Sequence, residues 1–265
     1  MHPRTAFGIT AAIRPDAARL GAEVESLGYD ELWVNDTPRG DGLATLSAVG
    51  SGTSSLAFGV GVVALSEQTP AVIAERVHAA SLPTDRLTVG VGSGSSRSLD
   101  LVRGGISELR RLLPGHPLAV AAVGPRMAHL AGEVADAVVA NWTLPARLAE
   151  LRELIAEGAG GAGRTTPRLV AYVRTAVGPG AEQRLRAEMD RYASRGAHYA
   201  RAFAEQGGGP IGVAVESTDP AELVGALAPY RSVVDTVVVR GLPATDTVDA
   251  WLEIAGVAAP SPGSG

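Results

Sequence analysis

The sequence predicts an α/β chain, a parallel eight-stranded (β/α)8 barrel of the TIM type, on three observations. From Ala6 to Val257, short apolar runs of strand length alternate with stretches whose apolar residues recur every three or four positions. The short runs are mostly unbroken rather than alternating, which suits strands buried on both faces of a parallel sheet. Eight of them in about 250 residues are what a closed barrel needs, whereas a doubly wound sheet usually has fewer strands and a clearer nucleotide fingerprint. The barrel is expected to occupy residues 1–258 as one domain, followed by a disordered tail, residues 259–265, rich in Pro, Ser and Gly.

Each element has its own signal. Ala6–Thr10 reads as the first strand, and Pro15-Asp16 opens a helix with Leu20, Val24 and Leu27 inward before Gly28 ends it. Glu31–Val34 is the second strand. After a loop through Pro38, Gly40 and Gly42, a helix from Leu43 to about Gly50 precedes the third strand, Ala57–Val63. Thr69-Pro70 caps a helix carrying Ile73, Val77 and Ala80. Leu87–Val91 is the fourth strand, and Gly92 to Ser96 lead into a helix bearing Leu99, Val102, Ile106, Leu109 and Leu113.

The fifth strand starts at Leu118 and runs to Val123, where Gly124-Pro125 opens a helix with Met127, Leu130, Ala131 and Val134 on one side. Ala137–Asn141 is the sixth strand. Leu144, Leu148, Leu151 and Ile155 mark the next helix, which a Gly-rich turn at Gly158–Gly163 separates from the seventh strand, Leu169–Val177. One long helix is expected to carry Leu185, Met189, Tyr192, Tyr199 and Phe203 as far as Gly207. Asp219-Pro220 starts another, Val233–Arg240 is the eighth strand, and Val248–Val257 closes the chain.

Composition narrows the function. The chain of 265 residues is 46% hydrophobic but has no uninterrupted apolar stretch of membrane-spanning length, about 18 residues, so no membrane association is expected. No cysteine and no apolar signal core point to the cytoplasm. With 23 basic and 28 acidic residues, a net charge of −5 and no basic cluster, a small-molecule partner fits better than nucleic acid. The five histidines lack ligand spacing, so no metal site is expected, and neither G-x-S-x-G nor GK[ST] occurs. Gly90 to Gly94 hold half a dinucleotide fingerprint, without the final glycine or the later acid.

Barrel enzymes place their chemistry on the loops after the strands. The polar residues there are Asn35 and Asp36, Ser66 and Glu67, Ser93, Ser95, Ser96 and Arg97, Arg126, Asn141, Arg174 and Arg240. Asp36 suits either a turn cap or a site, Glu67 either a solvated loop charge or a catalytic one, and Arg174 either an ion pair or a ligand contact. Arg126 stands out, because the helix after Gly124 aims free N–H groups and a positive dipole end into the same loop, an arrangement suited to phosphate. With so few acids and bases in view, a bound redox cofactor would carry the hard chemistry.

Four segments, Ala17–Asp36, Leu56–Val77, Asp85–Gly94 and Val120–Trp142, resemble the luciferase-like monooxygenase superfamily, especially its coenzyme F420-dependent oxidoreductases. The resemblance implies a (β/α)8 barrel, commonly dimeric, that holds F420, or alternatively FMN, at its C-terminal mouth and passes hydride or activates oxygen. It implies that Gly124, Pro125, Arg126 and Met127 lie beside the cofactor phosphate and that Gly92, Ser93 and Gly94 line the linker. Val62 and Val63 would sit in a third-strand bulge behind the ring, with Asp36 near the substrate. By their place on the loops after the strands, Asp36 and Glu67 are the candidate catalytic carboxylates. Where relatives carry histidines after the second strand and before the proline of the third loop, this chain has Thr37 and Thr69. Its short passage from Pro114 to His116 implies a wide or uncovered site.

Overall fold

Leu118–Ala121, Ala137–Asn141 and Arg168–Val177 lie side by side in parallel register and close a ring that began with the first strand of the chain. The computed structural model describes residues 3–37, 40–194 and 196–260. Its strands are β1 Arg4–Thr10, β2 Glu31–Asn35, β3 Ala57–Ala64, β4 Leu87–Gly92, β5 Leu118–Ala121, β6 Ala137–Asn141, β7 Arg168–Val177, β8 Val213–Val215 and β9 Thr236–Gly241. β1 to β7 pair in order, and β9 pairs with both β7 and β1, so these eight strands form a closed parallel barrel. β8 is a short addition hydrogen-bonded to the end of β7.

The helices are α1 Ala17–Ser26, α2 Gly42–Gly50, α3 Pro70–Ala80, α4 Leu99–Leu112, α5 Pro125–Val134 and α6 Pro145–Gly161. They continue with α7 Ala181–Ala193, α8 Ala197–Glu205, α9 Pro220–Arg231 and α10 Val248–Val257. Side-chain caps fix several starts. Thr69, Ser98, Asp219 and Thr247 each accept from an N–H in the first turn of the helix that follows, which satisfies donors that would otherwise have no partner. Among the described residues no helix is long and apolar enough to cross a membrane.

Two apolar layers result. The inward faces of the helices and the outward faces of the strands share one large core, from Phe7 and Leu20 round to Trp251 and Ile254. The barrel interior holds a smaller one, Ala6, Trp33, Ala119, Ala137, Val139, Val170, Tyr172 and Val238, in which Trp33 and Tyr172 meet edge to face at 5.9 Å. The lower end is closed by Glu31, 1% exposed, which takes hydrogen bonds from Trp33 Nε1 at 2.8 Å and from Arg4 and Arg168.

Three expectations need correction. Gly158–Gly163 is not a turn from its first residue, since α6 runs on to Gly161. A Cβ at Gly158 would lie 2.1 Å from the carbonyl oxygen of His129, and one at Gly132 2.1 Å from that of Ile155, so these glycines let α5 and α6 cross backbone to backbone. The single long helix expected up to Gly207 is two helices, α7 and α8, separated around Gly196, whose neighbour Arg195 lies outside the described residues. β8 was not foreseen, because three residues are too few to show a period. Pro38 and residues 261–265 of the tail also lie outside the described residues.

Candidate active site

Because all eight barrel strands are parallel, their C-terminal ends open on one side. A cleft of about 960 Å³ occupies that mouth, lined from β2, β3, β4, β5, β6, β7 and α8. The β3 wall is irregular. Its pairing with β4 runs Val60 to Val89 and then Val63 to Val91, so β3 carries one residue more than β4, and Gly61 and Val62 are joined by a cis peptide bond. Val62 faces the cleft, whereas Val63 is fully buried in the layer between barrel and helices. A Cβ at Gly61 would lie 2.3 Å from the Tyr172 hydroxyl, so only glycine lets that ring reach the bulge.

Gly92, Ser93 and Gly94 form the adjoining wall. Gly94 is left-handed at φ 59°, and its missing Cβ would fall 2.1 Å from Ser66 Oγ, which accepts from Ser95 N at 3.3 Å. The cleft ends on this side at Val123, 53% exposed. The next residue, Gly124, begins α5 in extended conformation, and no side chain caps the first turn. Gly124, Pro125, Arg126 and Met127 lie outside the cleft wall, and the exposed Pro125 and Arg126 line a separate groove of about 370 Å³ between α4, α5 and α6, beside Arg103, His129 and Glu133.

The inner wall is polar and cationic behind its surface. Arg240, 4% exposed, donates from Nε to Asn35 Oδ1 at 2.9 Å, and Asn35 Nδ2 donates to the Gly61 carbonyl at 2.8 Å, which ties β9 to the β3 bulge. Arg174, 1% exposed, donates to Asn141 Oδ1 at 2.9 Å and to the Tyr192 hydroxyl at 3.1 Å, and stacks over the Trp142 ring at 4.8 Å. Burial and the neighbouring Arg174 push the Arg240 pKa down to about 10. Burial alone would raise the Tyr192 phenol, but the guanidinium groups of Arg174 and Arg240 outweigh it and hold it below its ordinary value. Tyr172, enclosed among apolar side chains, is pushed well above its ordinary value and stays protonated. Among the described residues its hydroxyl and Trp142 Nε1 are buried without a hydrogen-bond partner.

The two candidate carboxylates stand apart from the cleft wall. Asp36 accepts from Gly42 N at 2.8 Å and from Arg76 at 2.8 Å and 3.2 Å, and Arg76 also binds Asp41 and Gln68. That network ties the loop after β2 to α3. Glu67 is exposed on the loop after β3. Residues that the sequence did not single out complete the site: Tyr172, Trp142, Tyr199, Phe203 and Gln206. Trp142, Tyr192, Tyr199 and Phe203 form a chain of ring contacts at 5.1 to 6.2 Å, which packs α7 and α8 against the end of β6 and sets α8 along one side of the cleft. An aromatic residue immediately after the polar end of β6 was the available signal for Trp142.

Comparison with known proteins accords with this architecture. Residues 6–105 and 100–227 match the family model described as luciferase-like monooxygenase. A 5,10-methylenetetrahydromethanopterin reductase of Methanolobus tindarius is 26% identical over 176 residues, 53% of this chain and 54% of that protein, so the match spans about half the relative's length. Two solved structures share the fold. An F420-dependent secondary alcohol dehydrogenase in complex with an F420-acetone adduct is 15% identical with a TM-score of 0.76, covering 96% of this chain and 97% of that one. The oxygenating constituent of 3,6-diketocamphane monooxygenase of Pseudomonas putida in complex with FMN is 14% identical with a TM-score of 0.69, covering 97% of each chain. The length of the family match, over a closed parallel barrel, establishes that this chain belongs to the luciferase-like monooxygenase family.

Proposed function

We propose that this chain is an oxidoreductase that transfers hydride between coenzyme F420 and a small organic substrate, with FMN as the alternative cofactor. The observation that carries the reading is the cleft itself: about 960 Å³ at the barrel mouth, within the range of cofactor sites, with the β3 bulge on one wall and the Ser93-Gly94 loop leading toward the uncapped start of α5. The buried, unpartnered Tyr172 hydroxyl is the sign that a polar ligand group belongs there.

In this reading Gly61 and Val62 back a flat ring, Gly92, Ser93 and Gly94 line the linker, and Gly124 to Met127 hold the phosphate through backbone N–H groups, with Arg126 as counter-charge. When bound, the cofactor supplies or accepts the hydride. The chain's own residues orient and enclose. Trp142, Tyr199 and Phe203 exclude water from one side, and Tyr172, protonated through burial, donates a hydrogen bond. Asp36 acts through Arg76 as a positioning residue for the loop after β2, while Glu67 offers a carboxylate at the rim. We take the chain to work as a soluble cytoplasmic homodimer of single-barrel subunits, without nucleic acid, membrane or metal.

A second reading, a barrel that binds cofactor or ligand with little catalytic power, draws on the Asp36–Arg76 pair, which engages the carboxylate that the resemblance sets near the substrate. Titration of the purified protein with F420 and with FMN, followed by turnover of the reduced cofactor on carbonyl and enone substrates, separates the readings. Micromolar F420 binding with turnover supports the oxidoreductase. Binding without turnover supports the second reading, and absence of binding by both cofactors rejects both.

A further inference from the structure

Behind the inner wall of the cleft lie two buried guanidinium groups, Arg174 and Arg240, and one carboxylate beside them. Arg174 and Arg240 point into the barrel mouth from paired positions on β7 and β9. The carboxylate beside them is Glu188, 3.9 Å from Arg174 Nε, and it is shared with Arg191. Two guanidinium groups, those of Arg174 and Arg191, therefore share one carboxylate, and among the described residues Arg240 has no ion-pair partner. Asn141 Oδ1 is taken by Arg174, which leaves Nδ2, the donor half of the amide, as the group that Asn141 can offer to the cleft it lines. Asn35 differs, because both ends of its amide are engaged.

Two further donors, the Tyr172 hydroxyl and Trp142 Nε1, are buried without partners among the described residues. Both residues line the cleft and are 3% exposed. A buried polar group normally has a hydrogen-bond partner, and one that lacks it in the free protein is where a ligand group is to be sought. All three groups can donate, and the charge behind them is positive. The complementary ligand atom is an acceptor that carries negative charge.

Resting on the proposed use of this cleft, we propose that Asn141, Trp142 and Tyr172, backed by Arg174 and Arg240, receive a negatively charged carbonyl-type oxygen, a carboxylate or enolate oxygen. Arg174 and Arg240 are positioning residues, acting through Asn141 and Asn35 and through their charge. Two sources share this chemistry: a small organic acid as substrate, and the carbonyl edge of a reduced, anionic flavin-type ring.

The test measures binding rather than turnover. Benzoate and its neutral isostere benzamide are titrated calorimetrically into the protein without cofactor, and FMN is titrated without oxygen in its reduced and oxidised forms. The expected result is at least a tenfold preference for benzoate, for reduced FMN, or for both; a benzoate preference identifies the substrate as the source, and a preference confined to FMN identifies the ring. Tyr172→Phe, which removes only an unpartnered hydroxyl, should cut the preference severalfold. Asn141→Asp keeps the shape but sets a carboxylate against Arg174, and should abolish it; unfolding temperatures confirm that both variants are folded. Equal affinity for benzoate and benzamide together with equal affinity for both forms of FMN, or an unchanged preference in both variants, overturns the proposal. A benzoate preference without any FMN or F420 binding keeps the anion wall and rejects the redox reading, whereas cofactor binding without either preference does the reverse.

Discussion

Arg174 on β7 and Arg240 on β9 are direct register partners, both almost completely buried, and among the described residues Glu188 pairs with Arg174 while Arg240 forms no ion pair. Like charges opposite each other on adjacent strands repel, and burial removes the water that would screen them. The barrel tolerates the pair because each guanidinium is held by an asparagine and an aromatic face, Asn141 and Trp142 for Arg174, Asn35 and Trp251 for Arg240.

This asymmetry predicts unequal costs. Arg174→Met takes the donor from Asn141 Oδ1 and leaves Glu188 with Arg191 alone, and should destabilise the fold by about 3 kcal/mol, the upper end of the penalty for a buried acceptor that loses a charged donor. Arg240→Met strands no carboxylate and relieves the repulsion, so it should cost about 1–3 kcal/mol, the penalty for leaving Asn35 Oδ1 without its donor. Urea unfolding midpoints of the two variants check the order.

Tyr172 and Gly61 test the bulge. Tyr172→Phe removes a hydroxyl with no partner and should leave stability unchanged within about 0.5 kcal/mol or raise it slightly. Gly61→Ala places a methyl group 2.3 Å from that hydroxyl and should destabilise by about 1–3 kcal/mol while narrowing the cleft. Thermal unfolding of both proteins, with cofactor titration of the second, supplies the measurement.

For Arg126 the expected effect is on affinity alone. The side chain is exposed on α5, so Arg126→Ala should not change the unfolding temperature. If it serves as counter-charge to the cofactor phosphate, the dissociation constant for FMN or F420 should rise about tenfold, and that for riboflavin, which lacks the phosphate, should not change.

Glu25 gives a pH-dependent prediction. Burial would raise its carboxyl, but the N–H groups of Ser55, Ser54 and Leu56 outweigh that and hold its pKa down to about 2. A carboxylate depressed in the folded state contributes stability that is fully present above its unfolded pKa, about 4.3, and is lost as pH falls through the folded value. Glu25→Gln should therefore be less stable than the parent at pH 7, and the gap should shrink between about pH 4 and pH 2. Chemical unfolding of both proteins across that range checks the sign.

Much of this was legible in the sequence because it is local. Unbroken Val-rich runs specify strands buried on both faces, and helix spacing with Thr69, Ser98 or Asp219 as caps specifies what lies between them. The eight barrel strands, their order and the side on which loops such as Ser93-Gly94 gather follow from that alternation. Val62 could be placed at the cleft from a resemblance of segments.

What the sequence did not disclose depends on groups that meet across long separations. Asp36 finds Arg76, Asn35 finds Arg240 across 205 residues, and Gly61 makes room for Tyr172, and none of these encounters leaves a local period to read. Gly158 reads in sequence as the start of a turn, yet it lies inside α6 against the backbone of His129 on α5, and α7 and α8 gave no sign in sequence of where they would pack at the mouth. Local hydrophobic spacing is a property of one segment, so the sequence by itself determined the eight barrel strands, the helices between them as far as α6, and the closed barrel. Charge balance, hydrogen-bond saturation and close backbone approach are properties of pairs brought together only by closure, so the tertiary structure alone decided that Asp36 is engaged by Arg76, that the Tyr172 hydroxyl has no partner among the described residues and that two guanidinium groups lie buried behind the cleft wall.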